Sequence, residues 1–298
     1  VRALVTGGNG FVGRWLAAHL REQGDDVVTV DHEVDVTDPD AVRSAVVSHA
    51  PEAVYHLAAL THVGASWNDP GAVFKVNALG TLYVLEAARA CPEPPRVLLV
   101  SSAEVYGMVP AEQMPITEDV PLAPVTPYAA SKVSAEYLGV QAHLAYGLPV
   151  IRVRPFNHVG PGQGPGFVVP SLAERIVSAR RTGARTMGVG NLSAQRDMTD
   201  VRDVVRAYRL LVEHGVAGEA YNVCSGTAVS IRSLADRMLA LAGAELELVT
   251  DPELARPVDV PVVRGDASKL KAATGWQPAI ELDRTLQDVL EQWSEAVA

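Results

Sequence analysis

Two cysteines in 298 residues, Cys91 and Cys224, are too few and too far apart for a disulfide framework. They show no metal-ligand spacing either, so buried thiols and no metal site are expected. Positive charge is scarce as well. A net charge of -10 argues against general binding to nucleic acid or anionic membranes. A few placed arginines could still make a local pocket for an anionic nucleotide. No apolar run reaches membrane-spanning length, and no basic segment with an apolar core opens the sequence, so a cytoplasmic protein without a membrane partner is expected. Internal repeats, coiled-coil heptads and low-complexity tracts are lacking too. What is present is an ordinary globular composition, 48% apolar and 20% charged, on a chain long enough for a large core and one or two domains.

The most informative stretch is Val5-Thr6-Gly7-Gly8-Asn9-Gly10-Phe11-Val12-Gly13. Residues 2–5 read as a short buried strand. Residues 11–20 carry Val12, Leu16 and Leu20 at helical spacing. Gly7, Gly10 and Gly13 lie between and just within them, where a strand turning sharply into a helix needs backbone angles that side chains forbid. The turn also lets a pyrophosphate approach the free amides and the dipole of the helix N-terminus, with Phe11 and Val12 in its first turn. A glycine triplet alone could be only a tight turn. Here Asp31 ends the next apolar run, 27–30, where an acid would accept hydrogen bonds from an adenosine ribose. The combination indicates a dinucleotide site. With no arginine directly after Asp31 to take a 2′-phosphate, NAD(H) is favoured, and NADP(H) stays open.

Strand-like runs at 2–5, 27–30, 53–57, 96–100 and 150–153 alternate with helical patterns. That alternation predicts an α/β fold, a doubly wound parallel sheet of the Rossmann type with a smaller C-terminal lobe. Ligands bind such sheets beyond the strands' C-terminal ends. Asp35 and Val36 could therefore frame the adenine, unless they are simply a polar loop before the helix at 39–48. Leu57, Ala58 and Ala59 would run along the pyrophosphate. His56 reads as a satisfied core histidine. Thr61, His62 and Ser66 lie where a loop would face substrate. The helix at 72–88 is apolar on more than one face, which suggests a second subunit and a homodimer. Asn77 within it is either a satisfied amide or an anchor behind the site, and is assigned to the cofactor side.

The fourth run ends in Ser101-Ser102-Ala103-Glu104, and a later helix opens with Tyr128-Ala129-Ala130-Ser131-Lys132. Residues four apart share a helix face, so Tyr128 and Lys132 can point together at a cofactor. A phenol titrates near pH 10, and a neighbouring ammonium is expected to lower that by roughly 1–3 units. Tyr128 would then serve as a general acid or base, with Ser102 on the same substrate oxygen. A Tyr-x-x-x-Lys pair alone is usually surface decoration; joined to the glycine turn and Asp31 it is specific.

On these residues the chain resembles the extended short-chain dehydrogenase/reductase superfamily from Val5 to the last helix. The resemblance implies a Ser102, Tyr128 and Lys132 triad, with Lys132 also holding the nicotinamide ribose. Further blocks narrow it: Arg154-Pro155-Phe156-Asn157-His158, Gly160-Pro161-Gly162-Gln163, Arg196-Asp197-Met198-Thr199-Asp200-Val201-Arg202-Asp203, Tyr221-Asn222-Val223-Cys224-Ser225-Gly226 and Arg256-Pro257-Val258-Asp259. These resemble the reductases of GDP-4-keto-6-deoxy-D-mannose, which form GDP-D-rhamnose. That likeness implies a GDP-sugar held by Asn157, Arg196 and Arg256. The rival is a GDP-mannose 4,6-dehydratase or related epimerase, since those dehydratases place a base at the position of Glu104. A non-catalytic NAD(H) sensor is a third reading, weakened by the presence of both Tyr128 and Lys132. The expected division is 1–155, with 199–224 returning to it, against a substrate lobe of 156–198 and 225–298.

Overall fold

The computed structural model describes residues 1–254 and 260–295. In chain order the elements are β1 (Arg2–Thr6), α1 (Phe11–Glu22), β2 (Asp26–Val30), α2 (Pro39–His49), β3 (Ala53–His56), α3 (Pro70–Phe74), α4 (Gly80–Arg89), β4 (Arg96–Val100), α5 (Pro127–Tyr146), β5 (Val150–Pro155) and β6 (Asn157–Val159). There follow α6 (Val168–Thr182), β7 (Thr186–Val189), β8 (Gln195–Asp200), α7 (Val201–His214), β9 (Ala220–Val223), β10 (Ala228–Ser230), α8 (Ile231–Ala242), β11 (Glu247–Thr250), β12 (Val262–Val263), α9 (Ser268–Thr274) and α10 (Leu282–Glu295).

Six strands form one parallel sheet in the order β2-β1-β3-β4-β5-β9. Successive strand side chains face opposite sides, so each strand contributes to two cores. Ala3, Val5, Ala53, Tyr55, Ile151 and Val153 pack under α1 and α7, together with Tyr208 and Trp276. Leu4, Val54, Val97, Leu99 and Val150 pack under α2, α4 and α5. Each fully buried aliphatic side chain stabilises the fold by about 1.5–3 kcal/mol. The strand order reverses between β1 and β3, which is where such sheets open a crevice at their C-terminal ends.

A second core gathers α6, α8 and α10 around β7 and β8. Its sheet runs β10-β8-β12, with β6 pairing β8 in parallel, and β11 pairs β7 separately. The chain crosses back at Val201: α7 lies on the first sheet beside α1, and β9 becomes its sixth strand.

The expected helix at 72–88 is interrupted. Between α3 and α4 the five residues Lys75–Leu79 form a π-turn, a feature frequent at functional sites. The turn brings Asn77 inward and leaves Phe74 and Leu79 on the exposed side.

Candidate active site

The glycine turn is shaped by contacts that leave no room for a Cβ. Gly7 has φ +71, and a Cβ there would stand 2.9 Å from the Ala58 amide nitrogen. At Gly13 it would stand 2.1 Å from the Gly7 carbonyl oxygen. β1 and β3 thus converge on the reversal point with bare backbone. Gly10 precedes α1 without a side-chain cap, and the first turn of α1, from Phe11, holds no acidic residue. Its amides and dipole are therefore available to an anion. Leu57, Ala58 and Ala59, half-buried, line the opposite wall, with the Ala58 amide donating to Thr6 Oγ1 at 3.2 Å. The cradle fits a dinucleotide pyrophosphate.

Asp31 stands at the rim. Its Oδ2 accepts the Asn9 amide at 2.7 Å, and its Oδ1 lies 3.4 Å from His32 Nε2. The carboxylate is thus fixed to the glycine turn itself. Asp35 accepts the Thr37 amide at 2.8 Å, which holds its carboxyl below the usual range. Val36 packs on Gly80 at the start of α4.

Thr126 caps α5 by accepting the Ala129 amide at 3.0 Å, and Pro127 takes the first helical position. This start sets Tyr128 and Lys132 on the inner face, both buried. Ser102 and the Glu104 charge both act on the Tyr128 phenol, in opposite directions. Ser102 also accepts the Glu104 amide at 3.2 Å. Lys132 Nζ donates to the Val100 carbonyl at 2.9 Å.

The expected acidification of Tyr128 is not what the structure shows. Burial pushes the phenol up to about 12; Ser102 opposes this and the Glu104 charge adds to it. Burial also pulls Lys132 down to about 8. Removing both groups from water penalises phenolate and ammonium alike. Tyr128 is held as a neutral phenol, the form that donates a proton.

Asn77 is buried, and its side-chain amide is bonded within the protein. It accepts the Leu60 amide at 2.8 Å and donates to the Leu60 carbonyl and to Ser131 Oγ. Ser131 in turn donates to the Tyr128 carbonyl at 2.7 Å. The amide clamps the loop after β3 to the helix bearing the catalytic pair. His56 is buried between Thr6 and Thr81, at 2.8 and 3.0 Å, as a satisfied core histidine should be.

The sequence reading missed a buried polar brace beneath these groups. Glu136, two turns beyond Tyr128, accepts from Ser101 Oγ at 2.8 Å, Arg152 Nη1 at 3.1 Å and Arg154 Nε at 3.0 Å. Arg154 also donates to the Tyr106 hydroxyl, which donates to Asn222 Oδ1 at 2.7 Å. A signal was available: Tyr128, Lys132 and Glu136 recur every fourth residue. Arg154 and Arg202 lie in the blocks that carry the family resemblance, and both are paired internally, Arg154 with Glu136 and Arg202 with Asp200 and Asp288.

On the substrate side, Thr61, His62 and Asn157 are exposed. The His62 ring lies 6.3 Å from that of Phe167, across from the loop that follows β6. Ser66 is buried and donates to the Val63 carbonyl. Arg196 is half-buried on β8 and donates to the Val260 carbonyl at 2.7 Å. Beside it, buried Asp197 accepts from the amides of Ser225, Gly226 and Gly265, so it ties β8 to the chain leaving β9. Arg256 lies outside the described residues.

A parallel sheet with a glycine cradle at its reversal point and a buried Ser-Tyr-Lys set define an extended short-chain dehydrogenase/reductase. The GDP-mannose 4,6 dehydratase family profile matches residues 30–289, and the chain belongs to that family. It is 39% identical to the GDP-6-deoxy-D-mannose reductase of Pseudomonas aeruginosa, over 99% of this chain and 98% of that protein. It is 32% identical to the GDP-6-deoxy-D-talose 4-dehydrogenase of Aggregatibacter actinomycetemcomitans, over 92% of each. The solved structure of RMD from Pseudomonas aeruginosa, complexed with NADPH, superposes with a TM-score of 0.92 at 37% identity, covering 99% of this chain and 100% of that one.

Proposed function

We propose that the protein reduces the 4-keto group of a GDP-6-deoxy-4-keto-hexose to give GDP-D-rhamnose, using NAD(P)H. The observation that carries this reading is a buried Tyr128 phenol, kept protonated next to Ser102 beyond the C-terminal end of β4, in the sheet that carries the glycine cradle. When bound, the reduced nicotinamide would supply the hydride that adds to C4 of the sugar. Tyr128 donates its proton to the oxygen that gains charge, while Ser102 stabilises that oxygen. Lys132, anchored on the Val100 carbonyl, would hold the nicotinamide ribose and stabilise the phenolate left on Tyr128 once its proton is given up. The glycine turn, with Phe11 and Val12, holds the pyrophosphate, Asp31 the adenosine ribose, and Asp35 with Val36 the adenine. Thr61, His62, Asn157, Arg196 and Arg256 hold the sugar nucleotide in a lobe made of 156–198 and 225–298. Binding energy from the distant nucleotide orients the ketone.

Glu104 beside Tyr128 favours one second reading, a 4,6-dehydratase with Glu104 as the C5 base. One assay separates them. GDP-mannose is first converted by a separate dehydratase, then mixed with this protein and NADH or NADPH. Stoichiometric loss of nicotinamide absorbance supports the reductase. Conversion of GDP-mannose itself without added reduced cofactor supports the dehydratase, and tight NAD binding without turnover a sensor. The C4 configuration of the product separates the rhamnose from the talose series.

A homodimer and a cytoplasmic location belong to the same proposal. Among the described residues no helix is long and apolar enough to cross a membrane. Helices α3, α4 and α5 pack together yet leave Phe74, Leu79, Tyr137 and Leu144 exposed. A second copy on this face would cover them; a pure monomer in sedimentation at micromolar concentration would count against it.

A further inference from the structure

The first turn of α1 does more than shape the cradle. Arg14 Nη1 donates to the Asn9 carbonyl at 2.8 Å, and Nη2 to the Gly162 carbonyl at 3.2 Å. Asn9 is the residue whose amide holds Asp31. One guanidinium therefore joins the dinucleotide turn to a loop on the substrate side, 148 positions along the chain. Neighbours reinforce the joint. Trp15 Nε1 donates to the Pro161 carbonyl at 2.8 Å, and the Phe11 and His158 rings stack at 6.1 Å.

The loop at the far side of this joint is rich in glycine. Residues 160–167 read Gly-Pro-Gly-Gln-Gly-Pro-Gly-Phe, four glycines in eight positions. Gly162 has φ +91, and its amide donates to Gln292 Oε1 of α10 at 2.7 Å. A Cβ at Gly162 would lie 3.4 Å from Arg14 Nη2. At its other end the loop meets the substrate-side loop, since a Cβ on Gly166 would lie 3.0 Å from the His62 ring, against which Phe167 tilts. One end of the segment touches the cofactor turn, and the other touches a residue facing substrate.

We propose that Arg14 is a positioning residue that couples the two binding sites: a dinucleotide ordering the 7–13 turn orders 160–167 through Arg14, which prearranges the His62 side for the sugar nucleotide. This rests on the proposed function for the identity of the two ligands. Coupling between sites is reciprocal, so each ligand must tighten the other by the same factor. A loop that one ligand has already ordered costs the second less to bind.

The test is calorimetric. GDP is titrated into the protein with and without saturating NADH, in parallel with NADPH, and the dinucleotides are titrated with and without GDP. The wild type should show an equal tightening of about fivefold or more in both directions, the lower range of typical couplings. Arg14→Ala should bring that factor close to one, while each ligand's affinity with the other site empty changes little. Arg14 is exposed, so the variant keeps its core. Trp15→Phe, which loses the bond to Pro161, should give an intermediate factor. Hydrogen exchange at the Gly162 amide should slow on adding dinucleotide to the wild type and not to Arg14→Ala. A wild type without coupling, or an Arg14→Ala variant that keeps it, overturns the inference. Failure of either ligand to bind the wild type removes the proposed function and this inference with it.

Discussion

The Ser101 hydroxyl donates to the Glu136 carboxylate at 2.8 Å, and through this bond the strand end beneath the catalytic groups is locked to the helix that carries them. Glu136 also takes the Arg154 guanidinium, whose other arm reaches Tyr106 in the turn that holds Glu104. Replacing Glu136 by Gln leaves Arg154 a buried, unbalanced charge. Removing one partner of a buried pair costs roughly 3–5 kcal/mol. Urea denaturation should show a loss on that scale, and a loss below 1 kcal/mol would mean that the brace is not structural.

Tyr128→Phe removes the donated proton and keeps the ring. Turnover should fall by roughly 10²–10⁴-fold, the scale of a positioned acid. Dinucleotide affinity should change little. Near-native turnover with cofactor bound would end the role given to the phenol.

The pH profile should report Lys132. Its ammonium, pulled down to about 8 by burial, is present below that pH and lost above it. Activity should therefore decline on the alkaline side with an apparent pKa near 8. Lys132→Arg, whose charge persists above pH 12, should retain weak activity with that limb moved upward. An unmoved limb in the arginine variant would assign the titration to another group.

Asp31 is predicted to set cofactor preference. Asp31→Asn keeps an oxygen for the Asn9 amide but removes the charge that repels a 2′-phosphate. The ratio of kcat/KM for NADPH over NADH should rise by about tenfold, equivalent to ~1.4 kcal/mol. An unchanged ratio would place the discrimination elsewhere.

Stability should depend on His56 in acid. Burial, helped by the Lys132 charge, pulls its imidazole down to about 3, against 6.5 in the unfolded chain. Between those values the unfolded chain holds a proton that the native state refuses, so stability is lost as pH falls from 6.5 toward 3. The slope is at most ~1.4 kcal/mol per pH unit from this group. His56→Asn should show a shallower loss between pH 7 and 5 in denaturant titrations. Identical slopes would show that His56 does not contribute.

What could be read from residues in order was whatever a short stretch decides by itself. The glycine spacing at 7–13, the alternation that makes β1 to β5, and the four-residue interval from Tyr128 to Lys132 are all local geometry, set by backbone angles and helical pitch. They specify the doubly wound sheet and its crevice. Tertiary structure alone decided which distant groups would meet. A buried charge or amide must find a partner, but sequence does not say which. So Arg154 met Glu136, Asn77 met Leu60 and Ser131, and Arg14 met Gly162. The protonation of Tyr128 was settled the same way, because its acidity depends on how much water the folded chain removes, and that depth is a property of packing.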